Sequence, residues 1–365
     1  MPDAKTVTEF LRTHRASLVG ASPARPEALG PDDAEAAAPH YSFDAERHPE
    51  EWKPLPVGGE AAGPEEHPVR FIDGSHLGQP VACLRSPQGN PVPLLLAQVG
   101  AIVLKLDGRE FVRERYEIRQ VLGMVADAFP PEQAKEFEAA FATHPVLPLQ
   151  VLFARMARDK SPFDYEVMRT QAYIRCQHEM LKLEIAALRA APDLPTLVDG
   201  QLGGRIGEKE AATMPLLVGL VKAPTPAPLP DRAWNALLDL KPGERTPYFK
   251  DVRQTASKVT ETPLACWYLR LAGGARLAPN WGVVRVDVPW VQMERHAEGE
   301  ARTNFANRLS HWLLRARCTA ESYPRMPISL EPIVRAEAAL KPLFAPLDVL
   351  VNRFYHQTGL AGGGG

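Results

Sequence analysis

The order of strand-like and helical segments along the chain is the feature that most constrains its fold. Three short apolar runs come first, at 69–72, 79–84 and 92–106. The last two are separated by Ser86-Pro87-Gln88-Gly89-Asn90, a strong turn signal that joins them as a hairpin. Helical patterns follow at 109–143 and 162–191, then strand-like runs at 194–198, 214–221, 264–271 and 282–288, then mostly helical patterns at 298–318 and 331–357. This order predicts a mixed α/β sheet flanked by helices and argues against a doubly wound Rossmann domain.

The segments outside this pattern predict a short helix and two mobile ends. Residues 5–19 have the amphipathic pattern of a short helix, whereas 20–66 are rich in Ala, Pro, Gly and Glu and contain few β-branched residues. We therefore expect an N-terminal helix and flexible arm over 1–66, with order beginning near His67. The four glycines at 362–365 predict a flexible tail.

Composition excludes several classes of protein and leaves others open. Apolar residues make up 45% of the 365 residues, which is enough for a substantial core. The 42 Lys and Arg against 44 Asp and Glu give a net charge of −2, so any surface that binds phosphate must be local. The four cysteines form no CxxC pair, which argues against a cysteine zinc site or a disulfide framework. No apolar run resembles a signal peptide or a membrane span, and no P-loop, GxSxG or HExxH motif occurs, so we expect a cytoplasmic protein.

Two segments share a local pattern that can carry chemistry. Phe71-Ile72-Asp73-Gly74-Ser75 and Leu197-Val198-Asp199-Gly200-Gln201 each place an aspartate where an apolar run ends, followed by a glycine that permits a tight turn. If the two strands are neighbours, both carboxylates emerge at one edge of the sheet, where a divalent cation would relieve their repulsion. Such a site suits phosphodiester cleavage. The alternative is that each Asp-Gly pair is an ordinary turn, in which the aspartate bonds the local backbone.

The same two segments resemble motifs of the NurA nucleases. FIDGS at 71–75 is similar to the first motif of that family, LVDGQL at 197–202 to its second aspartate motif, and VGLVK at 218–222 to its strand ending in lysine. Four later segments match in the same order: LKPGERTPYF at 240–249, WYLRL at 267–271, WGVVRVDVP at 281–289 and YPRMPISLE at 323–331. The resemblance covers about 67–345, which we expect to be one nuclease domain, followed by a helix end and the glycine tail over 346–365.

This resemblance implies a fold, an activity and partners. The family has an RNase H-like fold with Piwi-like features, here with helical additions, and uses Mn²⁺ or Mg²⁺ to cleave DNA ends. It implies 5′ to 3′ exonuclease activity with some single-strand endonuclease activity. It also implies a homodimer that works with a HerA-type hexameric ATPase in processing DNA ends.

The resemblance also assigns roles to acidic residues. Asp73 and Asp199 match the two metal-binding aspartates. The glutamate on the preceding helix is Glu179 or Glu184, and we prefer Glu179 because Glu184 lies closer to the helix end. Tyr323 matches a tyrosine near the active site. Glu331 stands where the family usually has a histidine, and a glutamate is a poorer general acid near neutral pH unless its pKa is raised.

Basic residues and loops complete the predicted site. Lys222 and Arg245 are the first candidates for phosphate contacts, followed by Arg270 and Arg285; for each of them the alternative is a surface salt bridge. His76 lacks a partner at metal-binding spacing, so we expect a polar loop residue. The glycine-rich segment 203–207 predicts a flexible active-site loop.

Two other functions fit the same sequence. Glu331 in place of the histidine is compatible with a weakly active or inactive NurA-like subunit that binds DNA and an ATPase ring. A different RNase H-like enzyme that acts on RNA is the second alternative.

Overall fold

The computed structural model describes residues 6–18, 40–58, 63, 65–156, 164–222, 227–252, 262–273, 281–319 and 329–360. Within these ranges the strands are β1 Ser17–Leu18, β2 His40–Ser42, β3 Leu55–Pro56, β4 Arg70–Arg85, β5 Pro91–Asp107, β6 Glu110–Val125, β7 Gln150–Ala154, β8 Thr196–Asp199, β9 Leu217–Lys222, β10 Glu244–Arg245, β11 Phe249–Val252, β12 Leu264–Arg270 and β13 Val283–Pro289. The helices are α1 Val7–Thr13, α2 Pro131–Ala142, α3 Tyr165–Ala190, α4 Glu208–Thr213, α5 Asp231–Leu238, α6 Trp290–Met293, α7 Glu300–Arg315, α8 Glu331–Leu340 and α9 Leu347–Thr358. Short 3₁₀ turns lie at Pro49–Glu51, Ala126–Ala128 and Lys341–Leu343.

One sheet joins these strands in the order β2-β11-β12-β13-β9-β8-β4-β5-β6-β7. At its centre β4, β5 and β6 run antiparallel to one another, β8 lies parallel to β4, and β9 lies parallel to β8. The order β6-β5-β4-β8-β9, with β5 antiparallel to the rest, is that of an RNase H-like sheet. The predicted mixed α/β sheet flanked by helices is therefore confirmed.

Strand β4 differs from the sequence prediction in a way that matters for the site. The runs at 69–72 and 79–84 belong to one strand, which pairs with β5 from Arg70 to Arg85 and shifts register only between Pro80 and Ala82. The chain does not turn at Gly74, because the backbone on both sides of it continues the ladder with β5. The separately predicted turn at 86–90 is confirmed: it joins β4 to β5, and Gly89 has φ 86° and donates to the carbonyl of Ser86 at 2.8 Å.

The helical prediction over 109–143 is half wrong. Residues up to Val125 form β6, and the helix α2 begins only at Pro131, a residue well suited to a first helical turn. The first part of β6 lies near the sheet edge with mostly exposed charged side chains, so its polar residues mimic an amphipathic helix. Helix α3 confirms the prediction over 162–191, and Asp164 caps its start by accepting from the amides of Glu166 and Val167.

Order begins earlier than the predicted position near His67. Within the expected arm, residues 40–58 join the fold: β2 pairs with β11, and β3 pairs with β10. Trp52 is buried in the core, and the Glu46 carboxylate accepts from the Arg245 guanidinium at 2.8 Å. These aromatic and charged anchors stand in a segment whose composition otherwise resembles a linker. The rest of the predicted segment 1–66, namely 1–5, 19–39, 59–62 and 64, and the glycine tail lie outside the described residues.

The two faces of the central sheet are covered by different helices. Ile72 and Val198 pack with Leu188 of α3, whereas Phe71 and Leu197 pack with α7. Because side chains alternate along a strand, the residues that follow by two on each strand share these faces. Helices α1, α2 and α9 pack over the far ends of β4 and β5 in a separate cluster. None of the described helices is long and apolar enough to cross a membrane.

Candidate active site

Asp73 and Asp199 lie side by side in the sheet. Strands β4 and β8 are parallel, and Ile72 lies opposite Val198, so the next residue on each strand is an aspartate. Both aspartates share the sheet face of Phe71 and Leu197, which is the face covered by α7. Their carboxyl groups lie close enough for Asp199 to act directly on the ionisation of Asp73. The two motifs therefore converge as the sequence analysis required, although Asp73 lies within its strand and Asp199 at the end of its own.

Burial and like charge dominate the electrostatics of this pair. The side chain of Asp73 is 4% exposed. Burial raises the pKa of Asp73 well above its usual range, and the neighbouring charge of Asp199 raises it further. Lys222, at the end of β9, opposes this rise, and its Nζ lies 2.8 Å from Oδ2 of Asp199. The predicted lysine therefore reaches the acidic pair.

Gly74 lets a helix glutamate approach the pair from the other face of the sheet. A Cβ atom built on Gly74 would lie 2.9 Å from Cγ of Met180 and from Cδ of Glu184, and closer still to Oε1 of Glu184. Real Cβ atoms do not make contacts this short, so only glycine leaves room for the carboxylate. The charges of Asp199 and Glu184 also raise the pKa of Asp73, after burial. The three carboxylates therefore form one electrostatic cluster.

Glu184 is fully buried beside an arginine. Burial raises the pKa of Glu184 to about 7; the charge of Arg205 lowers it, and that of Asp199 raises it. Nη1 of Arg205 forms an ion pair with Oε2 of Glu184, and Nη2 donates to the carbonyl of Asp199 at 3.2 Å. Gly200 makes this possible, because it adopts φ 105° and a Cβ there would lie 2.6 Å from Nη2 of Arg205. The second glycine therefore uses the positive φ open to glycine, but it bridges to Leu220 of β9 instead of forming the predicted tight turn.

The segment after Gly200 is tied to the rest of the fold. The amide of Leu202 donates to Oδ2 of Asp287 at 3.3 Å, and Thr262 Oγ1 donates to the carbonyl of Ile206 at 2.7 Å. These contacts flank 203–207, which the sequence predicts to be a flexible loop. In the structure this loop carries the arginine that neutralises the helix glutamate.

Glu179 is not brought to the acidic pair. Its carboxylate lies 2.8 Å from Nη1 of Arg119 and 3.1 Å from Nζ of Lys182, with Arg175 at 3.5 Å. Burial alone would raise the pKa of Glu179, but the hydrogen bond and charge of Lys182, with Arg175 and Arg119, lower it. Five residues of helix separate Glu179 from Glu184, which turns them about 140° apart.

The structure thus favours Glu184 over the preferred Glu179, and the sequence held a signal for this choice. The residues three and four positions from Glu184 are all apolar: Met180, Leu181, Ala187 and Leu188. Glu179 instead has basic partners at those spacings, Arg175 and Lys182. No sequence pattern singled out Arg205, because its role depends on a loop that folds back over α3.

Three of the predicted phosphate ligands make internal contacts. The Arg245 side chain is fully buried and pairs with Glu46. Arg285 donates to both carboxylate oxygens of Asp287, at 2.8 and 3.0 Å. Arg270 donates to the carbonyl of Trp281 at 2.8 Å. None of these contacts is with Asp73 or Asp199. For Arg245 and Arg285 the alternative of an ion pair is the one observed, although both pairs are buried and not on the surface.

The remaining predicted residues lie around the site or outside the described ranges. Glu331 begins α8, pairs with Arg335 at 2.7 Å and lines a cavity that also includes Phe71. Tyr323 lies outside the described residues. His76 contacts the hydroxyl of Tyr173 on α3, which is a structural contact on the sheet face opposite to the aspartates.

Two adjoining carboxylates suit a hard divalent cation. Mg²⁺ and Mn²⁺ prefer oxygen ligands, and Mg²⁺ is typically bound by one or two carboxylates together with water and substrate phosphate. Burial is the first cause of the raised pKa of Asp73 and the charge of Asp199 the second, whereas the charge of Lys222 lowers it; a bound cation would favour the ionised form of both carboxylates. In the part of the chain that the structure covers, no group of three or more His, Cys, Asp or Glu side chains is placed to hold a metal ion. The residues present therefore fit a cation held by Asp73 and Asp199, while Glu184 is held by Arg205.

Similarity to known proteins is found among solved structures. No family model matches the chain, and no curated protein matches it. Among solved structures, the NurA nuclease from Sulfolobus solfataricus is similar, with 12% sequence identity and a TM-score of 0.39 over 79% of this chain and 81% of that chain. At that identity and score the likeness carries no argument about function, which must come from the site and the motifs.

Proposed function

We propose that this chain is a metal-dependent deoxyribonuclease that cleaves phosphodiester bonds at Asp73 and Asp199. The observation that carries this proposal is the meeting of two carboxylates from neighbouring parallel strands, Asp73 buried and Asp199 partly exposed, with an ammonium group 2.8 Å from Asp199. A purely structural acidic pair would be costly to bury, because each charge opposes the ionisation of the other. The resemblance of FIDGS and LVDGQL to the NurA motifs supports DNA as the substrate.

Each side chain has a separate task in this proposal. A bound Mn²⁺ or Mg²⁺ supplies activation of water and charge stabilisation at the attacking and leaving oxygens. Asp73 and Asp199 would hold the cation through their carboxylate oxygens. Lys222 Nζ orients a phosphate oxygen beside Asp199, and its fixed charge stabilises the developing negative charge. Arg205 positions Glu184, whose charge acts on Asp73 from the helix α3 side of the sheet.

The finer features of the proposal rest on the motif resemblance. They are 5′ to 3′ exonuclease and single-strand endonuclease activity, a homodimer, and action with a HerA-type hexameric ATPase on DNA ends. A cytoplasmic location accompanies these features. Each can be tested once cleavage itself has been measured.

The primary test compares the wild type with three variants on linear DNA with Mn²⁺. We expect Asp73→Ala to lose at least about 100-fold in cleavage rate, because it removes a direct metal ligand. Glu184→Gln should lose activity as well, whereas Glu179→Gln, on the same helix and equally conservative, should keep it. Circular dichroism and melting curves establish that each variant is folded. Undiminished digestion by folded Asp73→Ala would refute the proposal.

Two basic side chains that already pair with the acidic cluster favour a second candidate function. Lys222 and Arg205 already neutralise Asp199 and Glu184, and Glu331 stands where the family has a histidine. These features fit a weakly active subunit whose task is to bind DNA and an ATPase ring. Digestion assays of the purified wild-type chain with Mn²⁺, alone and with a HerA-type ATPase, separate the two: DNA binding without cleavage in both assays favours the binding subunit.

A further inference from the structure

A cavity opens on the same sheet face as the two aspartates. It has a volume of about 430 Å³, within the range of small-ligand sites. It lies where the start of β4 and the adjoining ends of β5 and β6 meet the last turn of α7 and the first turn of α8. Its wall includes four aromatic rings and two charged groups: His67, Phe71, Phe111, Trp312, Arg315 and Glu331.

Three of these rings lie nearly parallel. The Trp312 ring is inclined by 3° to His67, with centroids 5.6 Å apart, and by 6° to Phe71, with centroids 6.3 Å apart. Phe71 is fully buried and forms the floor, whereas His67 and Trp312 are half-buried. Phe111 closes one side by contacting Phe71 edge-on at 75°. A planar ligand that enters parallel to these rings would meet their π faces.

The rim of the cavity carries positive charge. Arg315 is exposed in the last turn of α7, and no ion pair of this arginine occurs within the described ranges. His311 lies one helical turn earlier on the same helix face. The single carboxylate of the wall, Glu331, is paired with Arg335 at 2.7 Å, so its charge is largely offset. An aromatic interior with a guanidinium at its mouth is complementary to a nucleobase that carries a phosphate.

The distance to the acidic pair follows from the strand itself. Phe71 and Asp73 are two residues apart on β4 and point to the same face, which separates them by about 7 Å. Successive nucleotides of a stacked strand rise by about 3.4 Å, so the cavity lies about two nucleotides from the carboxylates.

We propose that this cavity is a stacking site for one unpaired base of the DNA strand that is cut, with Arg315 contacting the phosphate of that nucleotide. The inference rests on the proposed nuclease function, and it adds a requirement for single-stranded DNA next to the cleaved bond. Stacking on aromatic side chains accepts every base, so the site contributes affinity without sequence preference.

The test measures binding of a fluorescein-labelled single-stranded oligonucleotide of 20 nucleotides by anisotropy, without metal. We expect Trp312→Leu to weaken binding roughly 5- to 150-fold, the range for loss of one base–aromatic stack, and Trp312→Phe to restore most of it. The control is Trp234→Leu, which alters an exposed tryptophan on α5 and should leave binding unchanged. Arg315→Gln should reduce the slope of log K against log salt by about 0.7. Blunt duplex DNA should bind Trp312→Leu as it binds the wild type.

Three results would overturn the proposal: equal binding of single-stranded DNA by wild type and Trp312→Leu, an equal loss in Trp234→Leu, or no rescue by phenylalanine in a folded protein. If Trp312→Leu fails to fold, His67→Ala removes one ring from the solvent side and should weaken binding in the same way. Because binding is measured without metal, it separates from cleavage. If Trp312→Leu binds single-stranded DNA normally while Asp73→Ala loses cleavage, the stacking site is refuted and the nuclease proposal stands. If the wild type cuts no DNA but its binding of single-stranded DNA depends on Trp312, the nuclease proposal is refuted and the stacking site stands.

Discussion

Replacement of Gly74 by alanine is expected to disrupt the acidic cluster from the middle of a strand. The backbone of Gly74 is in the ordinary strand ladder with β5, so an alanine meets no conformational barrier there. The new methyl group would instead lie 2.9 Å from Cδ of Glu184 and from Cγ of Met180. Glu184 cannot move aside at low cost, because it is buried and held by Arg205.

The size of the effect follows from two opposing contributions. Overpacking of a filled interior costs about 1–3 kcal/mol. The lower backbone entropy of alanine in the unfolded chain returns about 0.4–1 kcal/mol. The net loss in the free energy of unfolding is therefore about 1–2 kcal/mol, which for a chain of this size lowers the melting temperature by roughly 1–3 °C. Displacement of Glu184 should also reduce Mn²⁺-dependent cleavage about 10- to 100-fold, as for other outer contacts of metal sites.

Differential scanning calorimetry and a cleavage assay on the same samples measure both effects. Gly58→Ala is the matched control, because nothing lies within 4 Å of a Cβ there and its φ is not positive. It should be as stable as the wild type or slightly more so. In a Glu184→Ala background the alanine at 74 should cost less, with a coupling energy of 0.5 kcal/mol or more. Full stability and activity of Gly74→Ala, or a cost that is independent of residue 184, would refute this account of the glycine.

Three further outcomes are expected. Folding raises the pKa of Glu184 from 4.5 to about 7, so the stability from this group is present at low pH and is lost as pH rises through 7. Urea titrations without metal should show that the free energy of unfolding falls by about 3 kcal/mol between pH 4.5 and pH 8, and that Glu184→Gln reduces this fall. An equal fall in that variant would contradict the assignment. Arg245→Ala should lower the free energy of unfolding by about 3–5 kcal/mol, because it leaves the buried Glu46 carboxylate without its cation, and cleavage per folded molecule should be unchanged. Weaker DNA binding at full stability would instead support the phosphate contact that the motif predicts. Mn²⁺ at ten times its dissociation constant should stabilise the wild type by about 1.4 kcal/mol in calorimetry and should leave Asp73→Asn unaffected, whereas equal stabilisation of both would place the cation elsewhere.

Local signals were sufficient for much of the fold. The strand-like runs at 194–198, 264–271 and 282–288 are apolar because these strands lie inside the sheet, covered on both faces. The three-to-four spacing of apolar residues over 162–191 reports the buried face of α3. The pairing of Asp73 with Asp199 follows once their two strands are neighbours.

Features that depend on distant partners could not be predicted in this way. Whether an Asp-Gly pair ends a strand or lies within it depends on the strands that pair with it. For Gly74 the pairing strand is β5, whose partner residue lies about 27 residues further along the chain. The exposed charges of β6 have the composition of a helix surface, and only pairing with β5 makes them a strand. The positions of Arg205 and Arg245 depend on contacts with Glu184 and Glu46 that no local pattern encodes.

The ion pair between Glu46 and Arg245 has a consequence for how the chain matures. The two residues are 199 positions apart, and β2 likewise pairs with a strand that is synthesised much later, β11. At 5–20 residues per second, a ribosome needs roughly 10 to 40 s to add the missing partner. During that interval Glu46 and Trp52 have no interior to enter, and the far edge of the sheet stays open until the second half of the domain emerges. Docking of the N-terminal segment, which is made first, is therefore timed by the synthesis of Arg245 and β11.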